Sequence, residues 1–264
     1  MKLQIVHSTR YTYSMPLRSS IQYLRLVPRN DASQRVTDWW LSLPGNPPPL
    51  TDGYGNVMHV LTLDQPHQQI LIEARGTVEL DPNHDGRIRD DLDPRPFLRT
   101  TSLTSADEAL VALTETYLGQ SQDVAALGKL QQAILDEMPY IPGSTEVWHS
   151  AREAYALGSG VCQDHTHVML ACARYKGLPA RYVSGYIHVA DEGHLASHAW
   201  AEIWLDDAWQ TFDITNQLLR PNQHIKLAVG MDYLEACPIR GMRSGGGEET
   251  LQVRVNVRES FDGQ

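Results

Sequence analysis

The first eighty residues alternate apolar and polar positions with a period of two. Leu3/Ile5, Tyr11/Tyr13, Ile21/Tyr23 and Leu41/Leu43, then Ile70, Ile72, Ala74, Val78 and Leu80, place apolar side chains on one face of an extended chain. That pattern predicts half-buried strands. Turn-forming runs separate them: Pro44-Gly45-Asn46-Pro47-Pro48-Pro49 and Asp52-Gly53-Tyr54-Gly55-Asn56 supply positive φ through glycine and end ladders through proline. An antiparallel β-sandwich domain is expected over residues 1–85. From Asp81 to Thr100 the composition shifts to Asp, Pro and Arg, too little apolar surface to make a core. Residues 86–104 therefore read as a linker and 105–264 as a second domain.

Helical spacing then takes over. Ser105 with Glu108 forms a capping-box pair, Leu110, Leu113 and Tyr117 recur every three to four residues, and Gly119 stands where a C-terminal cap is needed, so a helix is predicted over about 105–118. Val124, Leu127, Ile134, Leu135 and Met138 predict a second helix, stopped by Pro139, and a short third runs from Ser150 to Leu157. A fourth opens at Cys162 and continues to about Tyr175, turning Met169, Leu170, Cys172 and Ala173 to the core before Gly177 and Pro179 end it. Strand-like runs return at Arg181–Val189, Ala199–Leu205, Trp209–Asp213 and Leu251–Val257. The fold class expected is α+β: an N-terminal antiparallel β-sandwich, then helices packed on an antiparallel sheet. Trp39-Trp40, Trp200, Trp204 and Trp209 are expected to pack the sheets.

Composition narrows the partners. The chain has 264 residues, 42% of them hydrophobic, and 22 Lys plus Arg against 32 Asp plus Glu, a formal charge of −10 with no basic run of five. Nucleic acid and anionic membrane surfaces are excluded as natural partners. The start lacks an uninterrupted apolar h-region and no 18-residue apolar stretch follows, so a cytoplasmic location is expected. Cys162, Cys172 and Cys237 are odd in number and lack Cys-x-x-Cys spacing, which argues for reduced thiols rather than a disulfide framework or zinc knuckle.

One of those thiols stands in a chemical context. Gly158-Ser159-Gly160-Val161-Cys162-Gln163-Asp164 puts it at the start of a helix, where free backbone N–H groups and the positive end of the dipole favour an anion. Ser197-His198-Ala199-Trp200 and Phe212-Asp213 follow in order, giving a candidate nucleophile, base and orienter. A two-residue turn at Asp206-Asp207 would set Leu205 opposite Ala208 and Trp200 opposite Asp213. His198 would then lie diagonally across from Asp213 on one face, about 7–8 Å apart at the backbone and within side-chain reach. A three-residue turn would send the two to opposite faces. Cys172 and Cys237 read as structural. His165 and His167, with Asp164 and His188 or His194, could suggest a metal, but residues two apart on a helix point about 200° apart and cannot share one ion. Asp164 reads as a cap of the first turn, and no metal or other cofactor is expected.

These blocks resemble the bacterial transglutaminase-like family, whose members are often described as candidate cysteine proteases. The resemblance spans nearly the whole chain. It rests on Tyr140-Ile141-Pro142-Gly143-Ser144-Thr145, Gly160-Val161-Cys162-Gln163-Asp164, Gly177 through Tyr186, Ser197-His198-Ala199-Trp200, Phe212-Asp213-Ile214-Thr215-Asn216, His224-Ile225 and Ala228 through Tyr233. His7 through Tyr13 and Asp52 through Asn56 resemble the β domain that precedes the core in this family. It departs in two places: Ile214 where proline is frequent, and Met231 where arginine is common. The resemblance implies a papain-like, transglutaminase-type core and a triad of Cys162, His198 and Asp213. The expected activity is acyl transfer to or from a peptide or protein through a thioester, with water or an amine as acceptor. The Cys162 N–H is the expected oxyanion donor, with Gln163 or Trp148 beside it, and Tyr186, Trp148 and His194 are candidate cleft residues. A binding module that keeps the fold without the chemistry is the competing expectation.

Overall fold

The computed structural model describes residues 1–188 and 197–260. Among the described residues twelve strands and five α-helices follow in order: β1 Lys2–Val27, β2 Gln34–Ser42, β3 Pro49–Thr51, β4 Val57–Leu63, β5 His67–Leu80, β6 Arg87–Ile88, α1 Glu108–Leu118, α2 Val124–Glu137, α3 Ala151–Leu157, α4 Cys162–Tyr175, β7 Ala180–Ile187, β8 Ser197–Leu205, β9 Ala208–Phe212, β10 His224–Gly230, α5 Tyr233–Ala236, β11 Ile239–Gly245 and β12 Glu249–Glu259. The architecture is α+β, built on two antiparallel sheets.

The first sheet is organised by one very long strand. The first half of β1 lies between β5 and β12, and its second half between β4 and β11. A register shift between Leu17 and Ser19 separates the halves. Leu3, Ile5, Leu24 and Leu26 of the two halves share one core with Ile70, Ile72 and Val78, so the sheet curls over its own apolar face. The shift also corrects one detail of the sequence reading. Beyond it the inward set is Gln22, Leu24 and Leu26 rather than Ile21 and Tyr23, because an extra residue in a strand exchanges its two faces.

The second sheet has the order β10-β7-β8-β9-β6. Its Tyr182, Ala201, Ile203 and Phe212 pack against α1, α2 and α4, while Tyr186, Ile225 and Leu227 join the core of the first sheet. It is thus sandwiched between the helices and the curled sheet. Its edge strand β10 is covered by two carboxamides: Gln34 Nε2 donates to Lys226 O (2.9 Å) and Gln34 Oε1 accepts from Lys226 N, while Asn56 makes the same pair with Val229. Edge groups that would otherwise recruit another strand are thereby satisfied within the fold.

Two pairings cross the boundaries expected from sequence. Strands β11 and β12, at the end of the chain, pair with β1 at its beginning. Arg87–Ile88 pairs with β9, and Ile88 and Phe97 are buried against Trp209 and Met231. The Asp/Pro-rich segment has few apolar residues, and these two suffice to dock it. Buried Arg174 reinforces that docking, donating to the Phe97 carbonyl and the Thr104 hydroxyl. Of the tryptophans, Trp200 and Trp209 are fully buried, whereas Trp40 is on the outside beneath Arg75.

The helices start where predicted to within three residues, with one change of cap. Asp107, not Ser105, caps α1, its carboxylate accepting from Leu110 N at 3.0 Å. Ser150 and Glu153 form the capping box of α3, and left-handed Gly158 ends it. Helix α4 is buried from Gln163 to Arg174 on every side, wrapped by α1, α2, α3 and the second sheet. Among the described residues no helix is long and apolar enough to cross a membrane.

Candidate active site

Cys162 is the first residue of α4. Asp164, two residues on, folds back to accept from Val161 N at 2.8 Å and from the Thr145 hydroxyl at 2.5 Å, which holds the turn in front of the thiol. The preceding strand-like contact, Ile141 N to Gly160 O at 2.9 Å, ties this turn to the end of α2. As the first residue of a helix, Cys162 has a backbone N–H without an intrahelical acceptor.

His198 and Asp213 come together as the two-residue turn requires. Asp206 and Asp207 both adopt positive φ, Leu205 pairs with Ala208 and Ala201 with Phe212, so the next pair along brings Trp200 opposite Asp213. His198 Nε2 lies 2.8 Å from Asp213 Oδ2. Cys162 adjoins the same imidazole. Burial works to deprotonate His198, but the Asp213 charge and hydrogen bond, with the nearby Cys162 side chain, push it up to about 10. Burial likewise works to raise Asp213, yet His198 and His224 hold its carboxyl far below the usual range. At neutral pH the pair is imidazolium and carboxylate.

Two further groups hold Asp213. His224 Nε2 and Asn216 Nδ2 each lie 2.8 Å from the same Oδ2. Burial pushes His224 down, so its ring is neutral and its Nε2–H donates to the carboxylate. Trp200 lies under both imidazoles, stacked on His198 with 6.0 Å between ring centres and 4.7 Å from His224. The strand that carries His198 also needs a glycine neighbour: a Cβ on Gly185, its partner on β7, would sit 2.0 Å from the Ile225 carbonyl and 2.8 Å from Trp200.

His198, Asp213 and His224 offer the three metal-ligating atoms that cluster among the described residues. Their 2.8 Å separations are those of shared protons. The sequence-stated pair His165 and His167 diverges, as helix geometry demands: His165 contacts Met138 O and Thr215, whereas His167 Nε2 accepts from Tyr233 N.

A cavity of about 300 Å³ opens over Cys162. Gln163 lines it, although its Nε2 is engaged by Val147 O at 3.1 Å. Tyr186 does not: it is fully buried behind His7, to whose Nδ1 its hydroxyl is bonded at 2.6 Å. Trp148 is not among its lining residues either; it is 67% exposed and stacked on His149. His194 lies outside the described residues. Cys172 and Cys237 are buried, and burial pushes them up to about 12 and about 11.

Five contributors escaped the sequence reading as site residues. His224 and Asn216 were visible only as parts of family blocks. His7, Thr9 and Tyr11 line the cavity from the first sheet, and the alternation Leu3, Ile5, His7, Thr9, Tyr11, with its inward face turning polar, is the signal that could have found them.

Comparison with known proteins agrees with this fold. Residues 3–79 match the bacterial transglutaminase-like N-terminal region and residues 111–214 the transglutaminase-like superfamily. An uncharacterised protein of Mycobacterium leprae is 29% identical over 97% of this chain and 98% of its own length, and one of Mycobacterium bovis is 28% identical over 97% and 92%. The crystal structure of a putative cysteine protease from Cytophaga hutchinsonii superimposes with a TM-score of 0.80 at 22% identity, covering 100% of this chain and 92% of that one. By these matches residues 111–214 are a transglutaminase-like superfamily core, and residues 3–79 are the bacterial transglutaminase-like N-terminal region.

Proposed function

We propose that the protein is a thiol-dependent acyl-transfer enzyme that hydrolyses an amide or peptide bond through a thioester. The observation that carries this reading is that Cys162, the first residue of α4, lines one cavity with His198, whose ring is hydrogen-bonded to Asp213. The Cys162 sulfur attacks the carbonyl carbon, forming the C–S bond as the carbonyl electron pair moves onto oxygen. The Cys162 N–H is the donor nearest that oxygen. When the intermediate collapses, the C–N bond breaks and the leaving amine takes the proton from His198. A water then adds to the thioester, giving its proton back to His198, and the carboxylic acid departs as the thiolate is restored. Asp213, steadied by His224 and Asn216, keeps the imidazole turned to the sulfur and stabilises its charge.

Trapping the acyl-enzyme tests this. Intact mass after incubation with a peptide ester library should show an adduct on the wild type that is absent from Cys162→Ala. An adduct that survives the substitution, or none on either protein, refutes the reading. Free acid formed without added amine identifies water as acceptor; product that appears only with an amine redirects the assignment to transamidation. A cytoplasmic location goes with this reading, since all three thiols are unpaired, and cell fractionation checks it.

A further inference from the structure

The cavity over Cys162 has two walls of different origin. The thiol, Gln163 and His198 form one. The other is a sheet face assembled from both ends of the chain: His7, Thr9 and Tyr11 of β1 stand in register with Val255, Val253 and Leu251 of β12, and Ile239 of β11 adjoins them. Val255 and Val257 pack into the core of the first sheet. Leu251 and Val253 are on the same strand face, yet they remain 51% and 49% exposed and open into the cavity. Folding leaves this apolar surface uncovered directly in front of the nucleophile.

No residue among the described ones lining the cavity is Asp, Glu, Lys or Arg. His7 adds no charge, because burial pushes it down to about 4 and both ring nitrogens are engaged, Nδ1 by Tyr186 and Nε2 by Thr9 at 2.7 Å. A volume of about 300 Å³ is at the lower end for ligand pockets, enough for one branched or aromatic side chain and its carbonyl. A charged side chain placed against the first-sheet wall would give up water without gaining an oppositely charged partner from it, whereas an apolar one would cover the exposed valine and leucine.

Building on the acyl-transfer reading, we propose that this wall is the specificity subsite, and that the acyl donor presents one uncharged apolar side chain, of leucine to phenylalanine size, at the carbonyl Cys162 attacks. The first sheet is therefore a part of substrate recognition, and so is the C-terminal strand that closes it.

Two measurements test this separately from the chemistry. The first compares kcat/KM for aminomethylcoumarin amides of N-acetyl-leucine, -phenylalanine, -glutamate and -lysine. The apolar donors should lead by roughly tenfold or more. The half-exposed wall positions tolerate charge, so in Val253→Lys the glutamate donor should gain on the leucine donor, and in Leu251→Glu the lysine donor should. The second follows protection of Cys162 from iodoacetamide, each variant referred to its own unprotected rate. N-acetylphenylalaninamide should protect the wild type at concentrations where the amide of N-acetylglutamate does not. Equal turnover of charged and apolar donors, or a preference unmoved in both variants, overturns the subsite. If no donor turns over, the acyl-transfer reading fails; selective protection by the phenylalanine amide then still upholds the subsite, and equal or absent protection overturns it.

Discussion

Replacing Asp213 by asparagine removes one charge and leaves the shape almost unchanged. Oδ2 receives three donors, from His198, His224 and Asn216, each at 2.8 Å. A carboxamide in that place either faces them with its NH₂, donor against donor, or accepts as a weaker neutral oxygen. In the wild type, the rise of His198 from 6.5 to about 10 corresponds to on the order of 5 kcal/mol in favour of the imidazolium. Without the carboxylate, burial becomes the larger influence and the ring falls to its ordinary value or below. At about pH 7.5 His198 then goes from roughly 300 to 1 protonated to about 10 to 1 deprotonated. The positive charge beside the Cys162 sulfur is lost with it, and alkylation of that sulfur should slow. The assay is iodoacetamide labelling of Cys162 followed by peptide mass, with Cys172 and Cys237 as slow internal references because burial raises both. An imidazole NMR titration of His198 accompanies it. Unchanged labelling, or a His198 ring still protonated near pH 9 in the variant, would refute this account of the site.

The same pair makes stability depend on pH in a stated direction. His198 is raised in the folded protein, so its contribution is whole below 6.5 and is lost as pH rises through about 10. Asp213 is depressed, so its contribution is present above 3.8 and is lost as pH falls below that. Urea midpoints of the wild type should hold between about pH 4 and 6.5 and decline towards 10, whereas Asp213→Asn should lie about 3–5 kcal/mol lower and lose that dependence. His224→Phe leaves Asp213 two donors and should lower kcat several-fold with KM unchanged; an altered KM alone would contradict a positioning role. Gly185→Ala drives a methyl to 2.0 Å from the Ile225 carbonyl and should cost about 2 kcal/mol or more, read by urea unfolding. Asp164→Ala frees Val161 N and the Thr145 hydroxyl and should cost about 1–2 kcal/mol. Amide exchange in the first turn of α4 should rise with it.

Much of the architecture was legible because its causes are local. The span of α4 follows from a turn rich in glycine, a cysteine start and the Gly177/Pro179 stop, and the structure ends it at Tyr175 as expected. The meeting of His198 with Asp213 was legible through register: two aspartates able to adopt positive φ make a two-residue turn, and the ladder does the rest. The β10 and β11 strands were missed. His224–Gly230 lies buried throughout, so it shows no alternation, and Ile239–Gly245 is a polar, glycine-bearing strand that only its neighbour β1 defines. Trp148 and Tyr186 were proposed for the cleft on residue type alone. Aromatic character does not tell a core side chain from a surface one, and these two are one of each.

By itself the chain determines what nearest neighbours can decide: strand alternation, caps and stops, a thiol at a helix start, and a register counted from one tight turn. Only the tertiary structure decided that the last strand returns to the first, because that pairing closes a loop of more than two hundred residues and leaves no local trace. It also decided that His224 and Asn216 converge on one carboxylate oxygen and that His7, Thr9 and Tyr11 face Cys162 across a cavity. Such meetings depend on the packing of whole sheets, which the pooled burial of many side chains sets and no short stretch of sequence encodes.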